Sequence, residues 1–126
     1  MTNTLIVTRE DSLKERALQI LNLKYPLESD IKSSYKRRIF EYHPDRHPEI
    51  RAGSDELSEC EKKTKVINQS YELLFDVLNS VKIDLNKYSL LEDADLVQSL
   101  LPKNVKPAPL GKTEQEIWME RYGDLI

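Results

Sequence analysis

The sequence contains little cysteine, glycine or aromatic residue, and each shortage excludes a class of protein. A single cysteine, Cys60, can form neither an intrachain disulfide nor a cysteine-rich zinc site. Three glycines in 126 residues are too few for a collagen-like or low-complexity chain. The glycine-rich phosphate-binding motifs G-x-x-x-x-G-K-[ST] and G-x-G-x-x-G do not occur, which argues against a nucleotide-binding enzyme. Because aromatic residues make up only 7 %, we expect a core of Leu, Ile and Val.

Long apolar runs are also missing. No stretch approaches the ~18 apolar residues of a membrane span, so we expect no contact with a membrane. Residues 1–9 lack a basic region followed by a long apolar stretch, so we expect no secretory signal. The 19 basic and 22 acidic residues give a net charge of −3, and the mean hydropathy is −0.59. These values are typical of a soluble cytoplasmic protein with one domain, or one small domain and a tail.

Apolar residues recur at helical spacing in the first part of the chain. Ser12 and Glu15 have the spacing of a capping box, and an apolar helix face follows them. A second helix is predicted to begin at an N-cap on Ser29 and to end near Tyr42, because Pro44 disfavours helical backbone at the residue before it. The predicted buried stripe of this second helix is Ile31, Tyr35, Ile39 and Tyr42.

The third helical segment has the most regular pattern. Its apolar seam advances by three and four residues in turn, which predicts an antiparallel hairpin with the second helix. The seam consists of Leu57, Cys60, Thr64, Ile67, Tyr71, Leu74 and Leu78. Between the two helices, residues 43–55 contain two prolines and one glycine. A loop of this length is uncommon inside a compact domain and is often functional.

The pattern changes after about residue 81. Leucines between Leu90 and Leu101 predict a short helix in an acidic setting, and residues 102–111 form a proline-rich, extended linker. A second capping-box spacing, Thr113 to Glu116, predicts a terminal helix over residues 113–122. Trp118 and Tyr122 in that helix would serve either to dock on a partner or to anchor the tail on the body of the protein.

Three segments resemble the J-domain of DnaJ-like co-chaperones. Residues 29–46, SDIKSSYKRRIFEYHPDR, resemble its second helix and loop, residues 18–23 resemble the end of its first helix, and residues 67–74 resemble the signature of its third. The three elements occur in order, with the expected spacing, over about residues 13–80. The resemblance implies an all-α fold with a short first helix and an antiparallel hairpin of the second and third helices. We expect an N-terminal arm at 1–11, a J-domain at 12–81, and a partly helical C-terminal extension at 82–126.

The resemblance also implies a co-chaperone without enzymatic activity, catalytic residues, cofactor or metal. J-domains bind a DnaK-type chaperone and accelerate its ATP hydrolysis, through the basic face of the second helix and the His-Pro-Asp loop. The partner-binding residues implied here are Lys32, Tyr35, Lys36, Arg37, Arg38, His43, Pro44, Asp45 and Arg46. Five basic and two acidic residues over 32–46 give a local net charge of +3 on an acidic protein. Such a patch steers an acidic partner, and Asp45 is implied to pair with an arginine of the ATPase.

One departure from the J-domain pattern concerns the third helix. J-domains usually carry phenylalanine where this chain has Thr64, so we expect a locally poorer core or one repacked around Cys60. If a void exists there, Thr64→Phe should stabilise the protein, and otherwise overpacking should cost ~1–3 kcal/mol. We interpret Cys60 itself as a structural thiol on the buried seam.

Other functions remain open at this point. The chain lacks the Gly/Phe-rich linker and the cysteine-rich repeats of general DnaJ proteins, so client binding of that general type is not expected. The tail from about residue 84 would instead supply client or location specificity, or stabilise the domain. A J-like scaffold or adaptor, whose extension binds a dedicated protein partner, is the main alternative. Nucleic-acid binding by the basic helix and a merely solvated charged face are weaker alternatives. His43, Asp45 and His47 provide too few ligands for a metal site.

Overall fold

The computed structural model describes residues 7–123, and its regular structure there is helical. Leu5 and Ile6, in the predicted arm, lie outside the described residues. The elements in order are helix α1 (Arg9–Leu21), helix α2 (Glu28–Tyr42), a 3-10 turn (Pro44–Arg46), helix α3 (Asp55–Leu78), a second 3-10 turn (Ser89–Glu92), helix α4 (Ala94–Gln98) and helix α5 (Glu114–Tyr122). This confirms the all-α fold with its helical hairpin. None of the helices over 7–123 is long and apolar enough to cross a membrane.

The first helix starts earlier than predicted. Thr8 is the N-cap, and its hydroxyl accepts a hydrogen bond from the backbone N–H of Asp11 at 3.1 Å, so α1 begins at Arg9. The predicted cap at Ser12 is therefore wrong. Ser12 lies in the first turn and is buried, where its hydroxyl donates to the Thr8 carbonyl at 3.1 Å and accepts from the N–H of Gly111 at 2.5 Å. A tertiary contact thus uses the hydroxyl that the sequence pattern assigned to capping.

Three other helix boundaries test the sequence predictions further. α2 follows Leu27, which makes no side-chain cap, so the N-cap predicted at Ser29 is also wrong. The predicted end at Tyr42 is confirmed. The terminal helix is confirmed together with its cap, since the Thr113 hydroxyl accepts from the Glu116 N–H at 3.2 Å. Local signals therefore located the helices well, but they identified only some of the capping side chains.

The hairpin buries less of α3 than the predicted seam implies. Leu57, Cys60 and Thr64 are only half-buried, and Leu78 is 38 % exposed. The fully buried residues of α3 are Val66, Ile67, Ser70, Leu73 and Leu74. This helix packs against both α1 and α2. The seam prediction is therefore correct in the middle of α3 and wrong at its ends, and the Cys60 thiol lies at the edge of the core.

The C-terminal extension completes the core. Five of its residues are at most 9 % exposed: Tyr88, Leu91, Val97, Leu100 and Leu101. Tyr88 is fully buried, and its hydroxyl donates a hydrogen bond to the Asp76 carboxylate. Burial, followed by this contact, raises the pKa of Tyr88, so the phenol stays neutral. Extension and hairpin therefore share one apolar interior.

The predicted linker, residues 102–111, contains no helix, and it is tied to α1 along its length. Gln19 makes two contacts with it, since its amide donates to the Lys106 carbonyl at 3.0 Å and accepts from the Ala108 N–H at 2.9 Å. At Gly111, a β-carbon would lie 2.2 Å from the Val7 carbonyl oxygen, so only glycine allows this approach. The segment ends in a single parallel bridge between Thr8 and Lys112.

Arg16 of α1 makes the most deeply buried of these contacts. It is 3 % exposed; its Nε donates to the Ala108 carbonyl at 2.7 Å, and its Nη1 donates to the carbonyls of Leu91 at 2.9 Å and Glu92 at 3.1 Å. Burial, and then the charge of Arg9, lower the pKa of Arg16, but a guanidinium remains charged in proteins. One side chain thus fixes two separate parts of the extension on α1.

We expect Arg16→Met to lower the free energy of unfolding by ~2–4 kcal/mol, because it leaves the buried Leu91 carbonyl and two partly buried carbonyls without this donor. Arg51→Met is the matched control, since Arg51 is exposed and should change stability by less than ~0.5 kcal/mol. Urea unfolding of both variants measures the difference. Equal stability of the two variants would show that the extension does not depend on Arg16.

Candidate partner-binding site

The loop after α2 presents a carboxylate to solvent. His43 is in extended conformation and ends the helix, and residues 44–46 form the 3-10 turn that follows. The backbone N–H of Asp45 donates to Nδ1 of His43 at 3.2 Å, which leaves the imidazole Nε2 free to donate elsewhere. The side chain of Asp45 is 90 % exposed. Its carboxylate therefore sits on a defined turn and is available to a cationic partner.

Three contacts hold this turn against the hairpin. The guanidinium carbon of Arg46 lies 3.6 Å from the ring centroid of Phe40, a cation–π contact that joins the turn to α2. Nε2 of His47 lies 2.8 Å from the Glu41 carbonyl. From α3, the Thr64 hydroxyl is bonded to the carbonyls of Cys60 at 2.9 Å and Tyr42 at 3.3 Å. The turn is thus supported from both helices of the hairpin.

These contacts change the interpretation of Thr64. Its half-buried side chain lines a groove of about 320 Å³ beside the loop, together with His43, Pro44, Asp45, Glu61 and Lys65. The position therefore makes a polar contact that helps to close the loop onto α3. Sequence reasoning also missed Phe40, which is 57 % exposed. The available signal was a phenylalanine outside the predicted apolar stripe of α2.

The cationic side chains of α2 fall into two groups. Lys36 and Arg37 are exposed, and neither pairs with a carboxylate of the described residues, although Arg37 donates to the Ser34 hydroxyl at 3.1 Å. Lys32 is exposed and forms an ion pair with Glu28 at 3.1 Å. An exposed pair of this kind contributes little to stability and separates easily. These three ammonium and guanidinium groups are accessible from solvent.

Arg38 belongs to the second group, because its guanidinium is used inside the protein. Its side chain is 16 % exposed, its Nε donates to the Ile20 carbonyl at 2.8 Å, and its Nη2 donates to the Leu100 carbonyl at 3.0 Å. Its Nη1 lies 3.4 Å from the Glu41 carboxylate. Arg38 therefore joins α2 to the end of α1 and to the extension.

Tyr35 is likewise directed into the hairpin. Its ring packs on Tyr71 with centroids 4.1 Å apart, and its hydroxyl donates to Oδ1 of Asn68 at 2.6 Å. Burial, and then the neighbouring Tyr71, raise the pKa of Tyr35. The edge of the ring still lines a groove of about 420 Å³ with Lys36, Ile39, Phe40, His43, Asp45 and Arg46. Of the sequence-predicted residues, the structure gathers Tyr35, Lys36, His43, Asp45 and Arg46 around this groove.

The described residues contain no group of three or more His, Cys, Asp or Glu side chains arranged to hold a metal ion. His43 and Asp45 contact each other, but His47 is directed to Glu41 and Glu49. His43 accepts a hydrogen bond from the loop backbone at Asp45. His47 joins the loop to the Glu41 carbonyl of α2 and to the Glu49 carboxylate.

Comparison with known proteins points to one family. A model of the DnaJ domain matches residues 17–81. Two proteins named chaperone protein DnaJ, from Thermotoga petrophila and Thermotoga maritima, are 45 % identical to this chain over 49 residues. The aligned segment is 39 % of this chain and only 12 % of either relative, so the likeness concerns a small part of those proteins. A search of solved structures gave no match.

His47 provides a test of the loop geometry by pH. The Glu41 carbonyl, and then the Glu49 carboxylate, raise the pKa of His47 above its usual value of 6.5. Its protonation therefore favours the folded state, with the full contribution present below the unfolded pKa and lost as pH rises through the folded one. We expect the stability of the protein relative to His47→Gln to fall as the pH rises above the usual pKa of 6.5. Urea unfolding over a series of pH values measures it, and a difference that does not change with pH would contradict these contacts.

Proposed function

We propose, from the premise that this chain belongs to the DnaJ-domain family, that it is a co-chaperone of a DnaK-type ATPase. It binds the ATPase with the basic face of α2 and accelerates ATP hydrolysis through the His43-Pro44-Asp45 loop. The observation that carries this proposal is the exposed Asp45 carboxylate on a supported turn beside the free cations of Lys36 and Arg37. Family membership assigns the domain, and these side chains supply the contact chemistry.

The exposed cations of α2 would steer the proposed ATPase partner toward this face. Residues 32–46 carry five basic and two acidic side chains, while the whole chain has a net charge of −3. A local positive field on an acidic protein attracts an acidic surface and orients the approach, and it mainly affects the association rate. The partner surface should therefore be acidic, and its association with this chain should slow as salt is added.

Asp45 then provides the specific contact. An exposed carboxylate can form a charge-assisted hydrogen bond with a guanidinium of the ATPase, worth about 1.5–3 kcal/mol. The turn is held in advance by the Arg46–Phe40, His47–Glu41 and Thr64–Tyr42 contacts. Docking therefore orders few new groups, which leaves more of the contact energy for binding. Pro44 restricts the same segment further.

Two competing functions are less well supported. Nucleic-acid binding would need aromatic rings free to stack on bases, whereas Tyr35 packs on Tyr71, Tyr42 is half-buried, and the exposed ring of Phe40 is in contact with the Arg46 guanidinium. An adaptor role for the extension has one observation in its favour, the half-exposed Trp118 on α5. That role is compatible with co-chaperone activity because it uses other residues. We keep enzymatic inactivity and a cytoplasmic location as predictions.

Asp45→Asn tests the activating contact. The change removes the charge and keeps the shape, so we expect stimulation of ATP hydrolysis to fall by about tenfold or more, since a charge-assisted hydrogen bond is worth about 1.5–3 kcal/mol. Single-turnover hydrolysis by a DnaK-type chaperone from the same source measures it. Asp55→Asn, at an exposed position on α3, is the matched control. No stimulation by the well-folded natural sequence would refute the co-chaperone function.

Substitutions on α2 distinguish its exposed cations from Arg38, whose guanidinium is used inside the protein. Lys36→Glu should raise the concentration needed for half-maximal stimulation, with unchanged unfolding and a weaker salt dependence. Arg38→Met should instead lower the free energy of unfolding by ~1–3 kcal/mol, because the Ile20 and Leu100 carbonyls lose their donor. Lys103→Glu in the extension is the control for net charge, since Lys103 is exposed.

Full-length variants are needed for these measurements. A chain ended after Ser80 would lose Tyr88, Leu91, Val97, Leu100 and Leu101 from the core, so loss of activity there would report unfolding. Equal salt-sensitivity of Lys36→Glu and the natural sequence would contradict the assignment of this face to the partner.

A further inference from the structure

We propose that α5 and the groove beside it form a docking site for a basic, apolar segment of another protein. This site is formed by the extension and the start of α1, outside residues 17–81 that match the DnaJ domain, and it is separate from the co-chaperone surface. The two features that carry it are an exposed aromatic strip on α5 and an adjoining groove with unpaired carboxylates. The exposed strip indicates that a partner covers α5, and the carboxylates of the groove indicate that this partner is basic.

The aromatic strip consists of Trp118 and Tyr122 on the outer side of α5, with Met119 beside it. Trp118, Met119 and Tyr122 are 49 %, 50 % and 44 % exposed, and the rings of Trp118 and Tyr122 lie 5.6 Å apart. No residue of α5 is fully buried. The alternative in which Trp118 anchors the tail is therefore not what the structure shows. Aromatic residues exposed together on a helix are typical of the anchors that dock into a partner.

The opposite side of α5 fixes this orientation. Glu116 pairs with Arg9 of α1 at 3.4 Å, and Glu120 pairs with Lys112. Residues two positions apart on a helix point to nearly opposite sides, so these ion pairs keep Trp118 and Tyr122 outward. The Thr113 cap and the Thr8–Lys112 bridge hold the start of the helix. The strip is thus presented in one orientation before any partner arrives.

A groove of about 620 Å³ lies at the start of α5. It runs between the start of α1, the start of α5 and residues 82–86. Glu114 and Gln115 line it, and they precede Trp118 by four and three residues, which places all three on one face of α5. Ile83 and Leu85, both half-buried, add apolar surface to the groove wall. Strip and groove therefore form one continuous surface.

The charge of the groove selects the occupant. Three carboxylates line it, on Glu10, Asp84 and Glu114, against the single ammonium group of Lys82. None of the three carboxylates forms an ion pair with another side chain among residues 7–123. A segment with lysine or arginine beside leucine or phenylalanine complements both the carboxylates and the strip. An acidic peptide or a nucleic acid would be repelled.

Trp118 reports occupancy directly, because it is the only tryptophan of the chain. The probes for the full-length protein are a short synthetic peptide of leucine and lysine, one of leucine and glutamate, and one of glutamine and lysine. We expect a saturable blue shift of Trp118 emission with the leucine–lysine peptide alone, as its ring leaves water. An equal response to either other peptide, or no response to any of them, would overturn the proposal.

Substitutions then locate the binding. With a fluorescently labelled leucine–lysine peptide, Trp118→Ala should weaken binding by about tenfold, the usual size for a central aromatic anchor, and Glu114→Gln should weaken it less and reduce its salt dependence. The matched controls are Tyr25→Ala, since Tyr25 is 69 % exposed elsewhere on the chain, and Glu56→Gln in the exposed first turn of α3. Equal affinity of the α5 variants and the controls would place the peptide elsewhere and refute the site.

Three further measurements test for self-assembly, for misfolding of a variant and for an effect on the co-chaperone function. Sedimentation without peptide tests for a second copy on the site, and a dimer that Trp118→Ala disrupts would overturn the proposal in favour of self-assembly. Circular dichroism confirms that each variant is folded. Stimulation of the ATPase should be the same for Trp118→Ala and the natural sequence, so failure of the docking site and failure of the co-chaperone function give different results.

Discussion

A buried guanidinium on α1 is the contact on which the arrangement of this chain depends. A charge removed from water is costly unless hydrogen bonds compensate it, and Arg16 finds its acceptors in the carbonyls of Leu91, Glu92 and Ala108. All three belong to the extension, so α1 cannot keep this residue buried unless the extension is folded against it. The extension depends on Arg16 in turn, because the Leu91 carbonyl is buried at this contact and needs a donor. Arg16 and its three acceptors lie outside residues 17–81, the segment that matches the DnaJ domain, so the family match does not account for this contact.

Hydrogen bonds between a guanidinium and backbone carbonyls also distinguish the cations of α2 from one another. Successive residues of a helix point about 100° apart, so neighbours in sequence can have different surroundings. Arg38 turns inward to the carbonyls of Ile20 and Leu100, whereas Lys36 and Arg37 extend into solvent. The extension thereby helps to set the orientation of the helix that carries the proposed partner surface. A basic run therefore has to be assessed residue by residue, since part of its charge holds the fold together.

Sequence reasoning succeeded where the determinants are local. Helical periodicity, a proline after Tyr42 and the Thr113 cap each act within a few residues, and all three are found in the structure. It failed where the partner is a distant backbone group. Any residue supplies a carbonyl, so nothing in the pattern marks Leu100 as the acceptor for Arg38. The Ser12 cap was wrong for a related reason, because a hydroxyl suited to capping was engaged by the N–H of Gly111. Within the candidate site, the family motif located the loop, while the contacts that support it emerged only from the fold.

The extension also separates two surfaces of opposite charge. α5 is attached near the start of α1 through Arg9, and α2 is attached near its end through Ile20. Ile20 follows Arg9 by eleven positions along the helix, roughly 15–20 Å along the axis, which exceeds the screening length of about 8 Å at physiological salt. The two proposed partners would therefore bind with little electrostatic interference between their sites. The proposed model allows an acidic chaperone surface on α2 and a basic segment on α5 at the same time, and the negative net charge of the chain does not oppose the first because the local field governs the encounter.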